Sequence, residues 1–84
     1  MKMMMLTKEG CPKCVQLKMF LKMGMADKYK DEIEVIHKDE QPERYQELVE
    51  RFALQTAPVL IHGEDVLLDT TPMKTEEFLR TRLG

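Results

Sequence analysis

Cys11 and Cys14 are the only cysteines of the 84-residue chain, and they flank Pro12 and Lys13 just past the end of an apolar run. Two thiols three positions apart, the second entering a helical pattern, can close into a disulfide ring and reopen. Proline suits the first helical position, because its missing N–H would be unpaired there and its ring presets the backbone. Cys11 then sits at the helix N-terminus as the exposed thiol, with Cys14 one turn inside. Unpaired amides and the positive end of the helix dipole favour a thiolate at that place, and Lys8 and Lys13 add positive charge beside it. This is the pattern of a nucleophile with a resolving partner. The competing class is a non-enzymatic module whose thiols hold zinc or a shared iron–sulfur cluster. A structural zinc needs four ligands, however, and His37 and His62 lack the close pairing usual in such sites. Both histidines read as structural, and no metal site is assigned.

The cysteine pair needs a framework. Met3 to Thr7 is a short, unbroken apolar run ending in a polar loop, as expected of a central strand buried on both faces. From Pro12 the apolar residues Cys14, Val15, Leu17, Phe20 and Leu21 recur at helical spacing, and Gly24 is a natural C-terminal cap. Ile33 to His37 is β-branched and reads as a second strand. Pro42 opens a second helix with an apolar stripe at Tyr45, Leu48, Val49 and Phe52, ending near Leu54. Val59-Leu60-Ile61 and Val66-Leu67-Leu68, joined by the turn 62–65, form a hairpin. Thr71-Pro72 then starts a final helix that buries Phe78, Leu79 and Leu83. The order β-α-β-α-β-β-α predicts an α/β fold, with a four-stranded mixed sheet flanked by helices.

A chain of this length makes one small domain, residues 1–84, with a single core. Its composition is 43% hydrophobic and 33% charged with a net charge of −2, which gives no reason to expect nucleic acid as a partner. No stretch approaches the length of a membrane span, and the opening Met1 to Leu6 is too short for the apolar region of a secretory signal. The expected setting is the cytoplasm, where a cysteine pair is more often catalytic or metal-binding than a structural bridge. Charge is unevenly placed. Six lysines face only Glu9 and Asp27 between Lys8 and Lys30, whereas eight carboxylates face Lys38 and Arg44 between Asp31 and Glu50. The thiol end is therefore electropositive. The eight methionines read as flexible core filler.

With Cys-Pro-Lys-Cys after the first strand and Thr56-Ala57-Pro58 before the third, the chain resembles the thioredoxin fold in its minimal form, the glutaredoxins. The resemblance covers nearly the whole chain. It implies a dithiol–disulfide oxidoreductase acting on protein disulfides, with Cys11 attacking and Cys14 resolving. Pro58 matches the cis-proline beside the active-site disulfide of that fold, which turns the backbone of Ala57 toward substrate; read alone, Thr-x-Pro is an ordinary trans-proline at a strand start, and the cysteine motif upstream reverses that reading. The resemblance further implies a monomer with no bound cofactor and with glutathione as reductant. Lys8 stands where glutaredoxins often place a lysine that contacts a glutathione carboxylate, and Arg51 is a second partner for it.

Two departures bear on the electron donor. Glutaredoxins generally carry Gly-Gly and an acidic residue before the last helix to hold the γ-glutamyl end of glutathione, but here the stretch is Leu67-Leu68-Asp69-Thr70-Thr71. Thr70 and Thr71 at the helix N-terminus, with the backbone amides from Asp69 to Thr71, are left to receive the carboxylate of that end. Lys13 also replaces the common tyrosine of the motif. Similar departures occur in glutaredoxins of phages, which act in the host cytoplasm, and in the small glutaredoxin-like hydrogen donors of ribonucleotide reductase, which take electrons from thioredoxin reductase.

Overall fold

The computed structural model describes residues 2–84. Strand β1 (Met3–Thr7) leads through a short loop into helix α1 (Pro12–Met19), which continues without a break into a π-helical turn (Phe20–Gly24). Strand β2 (Ile33–His37), helix α2 (Pro42–Phe52), strands β3 (Val59–His62) and β4 (Asp65–Leu67), and helix α3 (Pro72–Leu83) follow. The sheet order is β2-β1-β3-β4, with β1 parallel to β2 and antiparallel to β3, and β3–β4 a hairpin. This is the thioredoxin-like fold, a mixed four-stranded sheet with three α-helices.

The alternation along β1 divides the core. Met3 and Met5 join Leu17, Tyr29, Leu60, Phe78 and Leu79 on the face covered by α1 and α3. Leu6 joins Ile36, Tyr45, Leu48, Val59 and Ile61 on the face covered by α2, with Met4 packed against them. A strand covered on both faces has no solvent side to make polar, which is why its sequence reads as an unbroken apolar run. β2 is an edge strand, but the chain covers part of its own edge. The Gln41 side-chain amide donates to the Val35 carbonyl at 3.3 Å, and the Gln41 backbone N–H donates to the His37 carbonyl at 2.8 Å.

Four local expectations are corrected by the structure. Gly24 is not a left-handed cap after an α-helix; it closes the π-helical turn, and the Met25 N–H bonds back to the Phe20 carbonyl five residues earlier. Val15 belongs to the apolar spacing of α1 yet lies 56% exposed, because Cys14 and Leu17 take the inward positions. α2 stops at Phe52, where Ala53 turns left-handed (φ 53°) and its N–H bonds to the Val49 carbonyl. The fourth strand spans Asp65–Leu67, which leaves Leu68 outside it and exposed.

Arg44 of α2 grips Glu34 of β2 with both ends of its guanidinium, the second contact at 3.0 Å. That pairing holds the Glu34 carboxyl below the usual carboxylate range. A depressed folded-state value adds stability above the unfolded carboxylate pKa of about 4.3, and the contribution is lost as pH falls through the folded value. The pair is partly exposed, so its worth is at most about 1 kcal/mol. Glu34→Gln is therefore expected to lower unfolding free energy by up to about 1 kcal/mol near neutral pH. The difference from wild type should vanish at acid pH, which chemical denaturation at several pH values would measure.

Candidate active site

β1 ends at Thr7, and Lys8-Glu9-Gly10 carries the chain across the top of the sheet; Gly10 takes φ +63°, a conformation open to glycine at little cost. Cys11 is then the N-cap of α1 in extended conformation, and Pro12 occupies the first turn. The Cys14 N–H donates to Cys11 Sγ at 3.2 Å, so the sulfur occupies the place of an oxygen cap and meets one of the unpaired amides of the helix. Cys11 and Cys14 are joined as a disulfide with their Cα atoms 5.2 Å apart.

The sequence reading makes Cys11 the exposed thiol. In this oxidised state it is only 9% exposed, against 2% for Cys14. Ala57 forms one buried cluster with the two cysteines, and its carbonyl oxygen lies 3.6 Å from Cys11 Sγ. The Ala57–Pro58 peptide bond is cis. The Ala57 carbonyl also accepts from Thr56 Oγ1 at 3.4 Å, so it faces the disulfide and its own neighbour.

A groove of about 470 Å³ opens beside the disulfide. Of the residues singled out in the sequence, Lys13, Thr56, Ala57, Pro58, Asp69, Thr70 and Thr71 line it. Lys8 does not; it is exposed on the loop before Cys11. Arg51 is placed elsewhere altogether, paired with Glu64 and stacked on the Phe52 ring 5.0 Å away. Helical numbering put Arg51 on the polar side of α2, but α2 covers the opposite face of the sheet, away from this groove. Asp69 Oδ1 accepts from the Thr71 N–H at 3.3 Å, so one amide expected to receive a ligand carboxylate is already engaged by a carboxylate of the chain. Leu67 packs into the core, and Leu68 adds apolar surface to the groove.

His37 stays apart from the thiols. Its Nδ1 accepts from the Asp39 N–H at 3.1 Å, and its Nε2 lies 3.4 Å from Glu9 Oε1, fastening the loop before Cys11 to the end of β2. Glu9, His37 and Asp39 are spaced closely enough to hold an ion, but that group contains neither cysteine.

A family model described as Glutaredoxin matches residues 3–67, from β1 through β4. The chain belongs to the glutaredoxin family. No curated protein matches the sequence of this glutaredoxin. Among solved structures it is similar to the solution structure of a thioredoxin from Thermus thermophilus. The two share 20% identity with a TM-score of 0.68, over 94% of this chain and 70% of that one. At that identity the likeness speaks for the fold alone.

Sequence reasoning passed over Gln16, Phe20 and Gly24 as parts of this site. Gln16 and Phe20 line the groove, and the Phe20 ring lies against Gly24, where a Cβ would sit 2.6 Å from its Cδ1. The glycine is there for the space it leaves empty. Gly24→Ala should push the Phe20 ring out of its seat and raise KM for peptide disulfides roughly threefold to tenfold, up to about 1.4 kcal/mol in binding, with kcat little changed. In a Phe20→Ala background the same change should have no effect on KM, which steady-state kinetics on the four proteins would establish.

Proposed function

We propose that this glutaredoxin reduces protein disulfides in the cytoplasm through the Cys11–Cys14 pair. The observation that carries the reading is the disulfide set at the N-terminus of α1, next to a groove lined by its neighbours Lys13, Ala57 and Pro58. In the reduced protein, Cys11 thiolate attacks one sulfur of a substrate disulfide. A Cys11–substrate bond forms, and the other substrate sulfur leaves and takes up a proton. Cys14 then attacks Cys11 Sγ, which releases the second substrate thiol and leaves the Cys11–Cys14 bridge. Two electrons and two protons have passed to the substrate. The resolving step needs little motion, because the two residues are one helical turn apart and bridged in this structure. The cycle uses no resident metal or organic cofactor. No helix of the described residues is long and apolar enough to cross a membrane.

The division of labour is testable. Cys11→Ser should abolish thiol exchange with a small disulfide, whereas Cys14→Ser should still attack and accumulate as a mixed disulfide, seen as a mass increase of one substrate half. Equal reactivity of the two variants would contradict the assignment.

The donor in this proposal is glutathione, with a flavoprotein reductase of the thioredoxin reductase kind as the second reading. The second is favoured by one observation, that the Thr71 amide is held by Asp69. A glutathione carboxylate at that place loses a charge-assisted hydrogen bond and meets a like charge. The lost bond alone costs about 1.5 to 3 kcal/mol, a tenfold to hundredfold loss of affinity. Rereduction by glutathione with its reductase should therefore be slow and show a high KM. Asp69→Asn, which keeps an acceptor for Thr71 and removes the charge, should lower that KM. Efficient rereduction by thioredoxin reductase with none by glutathione would select the second donor, and ribonucleotide reductase would then head the substrates to be tried.

A further inference from the structure

The outward face of α1 and its π-helical turn forms three strips that start at the disulfide. Val15, Met19 and Met23 follow one another at four-residue spacing and are 56%, 55% and 73% exposed, an apolar ridge beginning one turn from Cys11. On one side of the ridge, Gln16 and Phe20 face the groove beside the disulfide. On the other, Lys18 and Lys22 border a cavity of about 170 Å³ whose far wall includes Lys30 and Val35. Asp27 is the one carboxylate on that cavity. Among the described residues, none of Lys13, Lys18, Lys22 and Lys30 has a carboxylate within 4.0 Å, whereas Arg44, Arg51 and Arg82 are each paired. Arg44, Arg51 and Arg82 are thus neutralised within the fold, whereas Lys13, Lys18 and Lys22 are exposed on α1 and its π-helical turn without such a partner.

We propose that this ridge, flanked by Lys18 and Lys22, docks the acidic stretch of a polypeptide whose disulfide is being reduced at Cys11. The inference rests on the oxidoreductase reading and names the chemistry of its protein substrate. The choice of occupant follows from charge and from reach. Unpaired lysines beside exposed methionines are complementary to carboxylates interleaved with large apolar side chains. At 1.5 Å per residue, Met19 and Met23 stand about 12 to 18 Å along the helix from Cys11. An extended chain covers that distance in about four to six residues at 3.3 Å each, so a tripeptide held at Cys11 does not reach Met19 or Met23. The substrate thus carries a large apolar residue four to six positions from its reactive cysteine, with acidic neighbours.

The test uses the full reduced chain and two synthetic peptides, each closed by one disulfide. They differ only in the segment following the second cysteine, which holds Leu with Glu in one and Leu with Lys in the other. The rate constant for oxidation of the protein dithiol by each peptide disulfide is measured in a single turnover, with a small uncharged disulfide as reference. The products are the Cys11–Cys14 disulfide and the peptide dithiol, so no further reductant enters. The acidic peptide should react at least about fivefold faster than the basic one at low salt, and the advantage should fade towards about 0.5 M salt. Lys18→Glu with Lys22→Glu should reverse the preference and leave the reference rate unchanged. Met19→Gln with Met23→Gln should slow both peptides at every salt concentration, again with the reference unchanged. Equal rates for the two peptides, or a preference that survives the charge reversal, would overturn the docking surface. So would salt-sensitive self-association abolished by the same reversal, since it would give the ridge to the acidic 31–50 segment of a second copy. A chain inert towards the small disulfide would instead contradict the oxidoreductase reading itself.

Discussion

Strand β1 is hydrogen-bonded on both edges and covered on both faces, and the position of the disulfide follows from that confinement. β2 and β3 fix its register from Met3↔Ile33 to Thr7↔His37 on one side and from Met4↔Ile61 to Leu6↔Val59 on the other. A one-residue slip would exchange its two buried faces, so the register is strongly specified. The end of β1 therefore lies at a fixed height, and three loop residues deliver Cys11 to the start of α1. The segment carrying Ala57 is fixed from the other side, because it leads directly into β3. The contact between Cys11 and Ala57 joins two loops that the same strand pair brings together.

The legible parts of the sequence were those in which one local pattern had one physical cause. β1 and β2 read true to the residue, because a strand sealed on both faces must be apolar throughout and a β-branched run suits a pleated surface. The cysteine motif was legible because paired thiols after a strand, with proline at a helix start, leave few conformational choices, and the cis bond at Pro58 was legible only through the resemblance that this motif carries. α3 and α2 announced their starts through Pro72 and Pro42, both in the first turn.

What was not legible depended on partners distant in sequence. Phe20 and Gly24 read as a core residue and a cap, and only the π-helical turn shows that the ring needs the missing side chain. Arg51 looked free to bind an anion until Glu64 took it. The family match ends at residue 67, one residue short of the exposed Leu68 and two short of Asp69. The framework is thus the shared part, and the groove wall contributed by residues 68 to 72 lies outside the matched span. Asp69, Thr70 and Thr71 do line the groove, but the engagement of Asp69 with the Thr71 amide came only from three-dimensional geometry.

The hydrogen bonds that Gln41 makes to Val35 and His37 reach beyond the local turn. An open sheet has two borders where another chain can add a strand, and a small protein with so exposed a border risks growing into fibres. Here β4 is only three residues long, and α3 anchors it through Arg82 to Asp65 at 3.2 Å. At the opposite border, two successive outward carbonyls of β2 are already taken by the chain's own next turn. The ridge of α1 can thus stay apolar and open to other polypeptides while strand-by-strand growth of the sheet is checked at both ends.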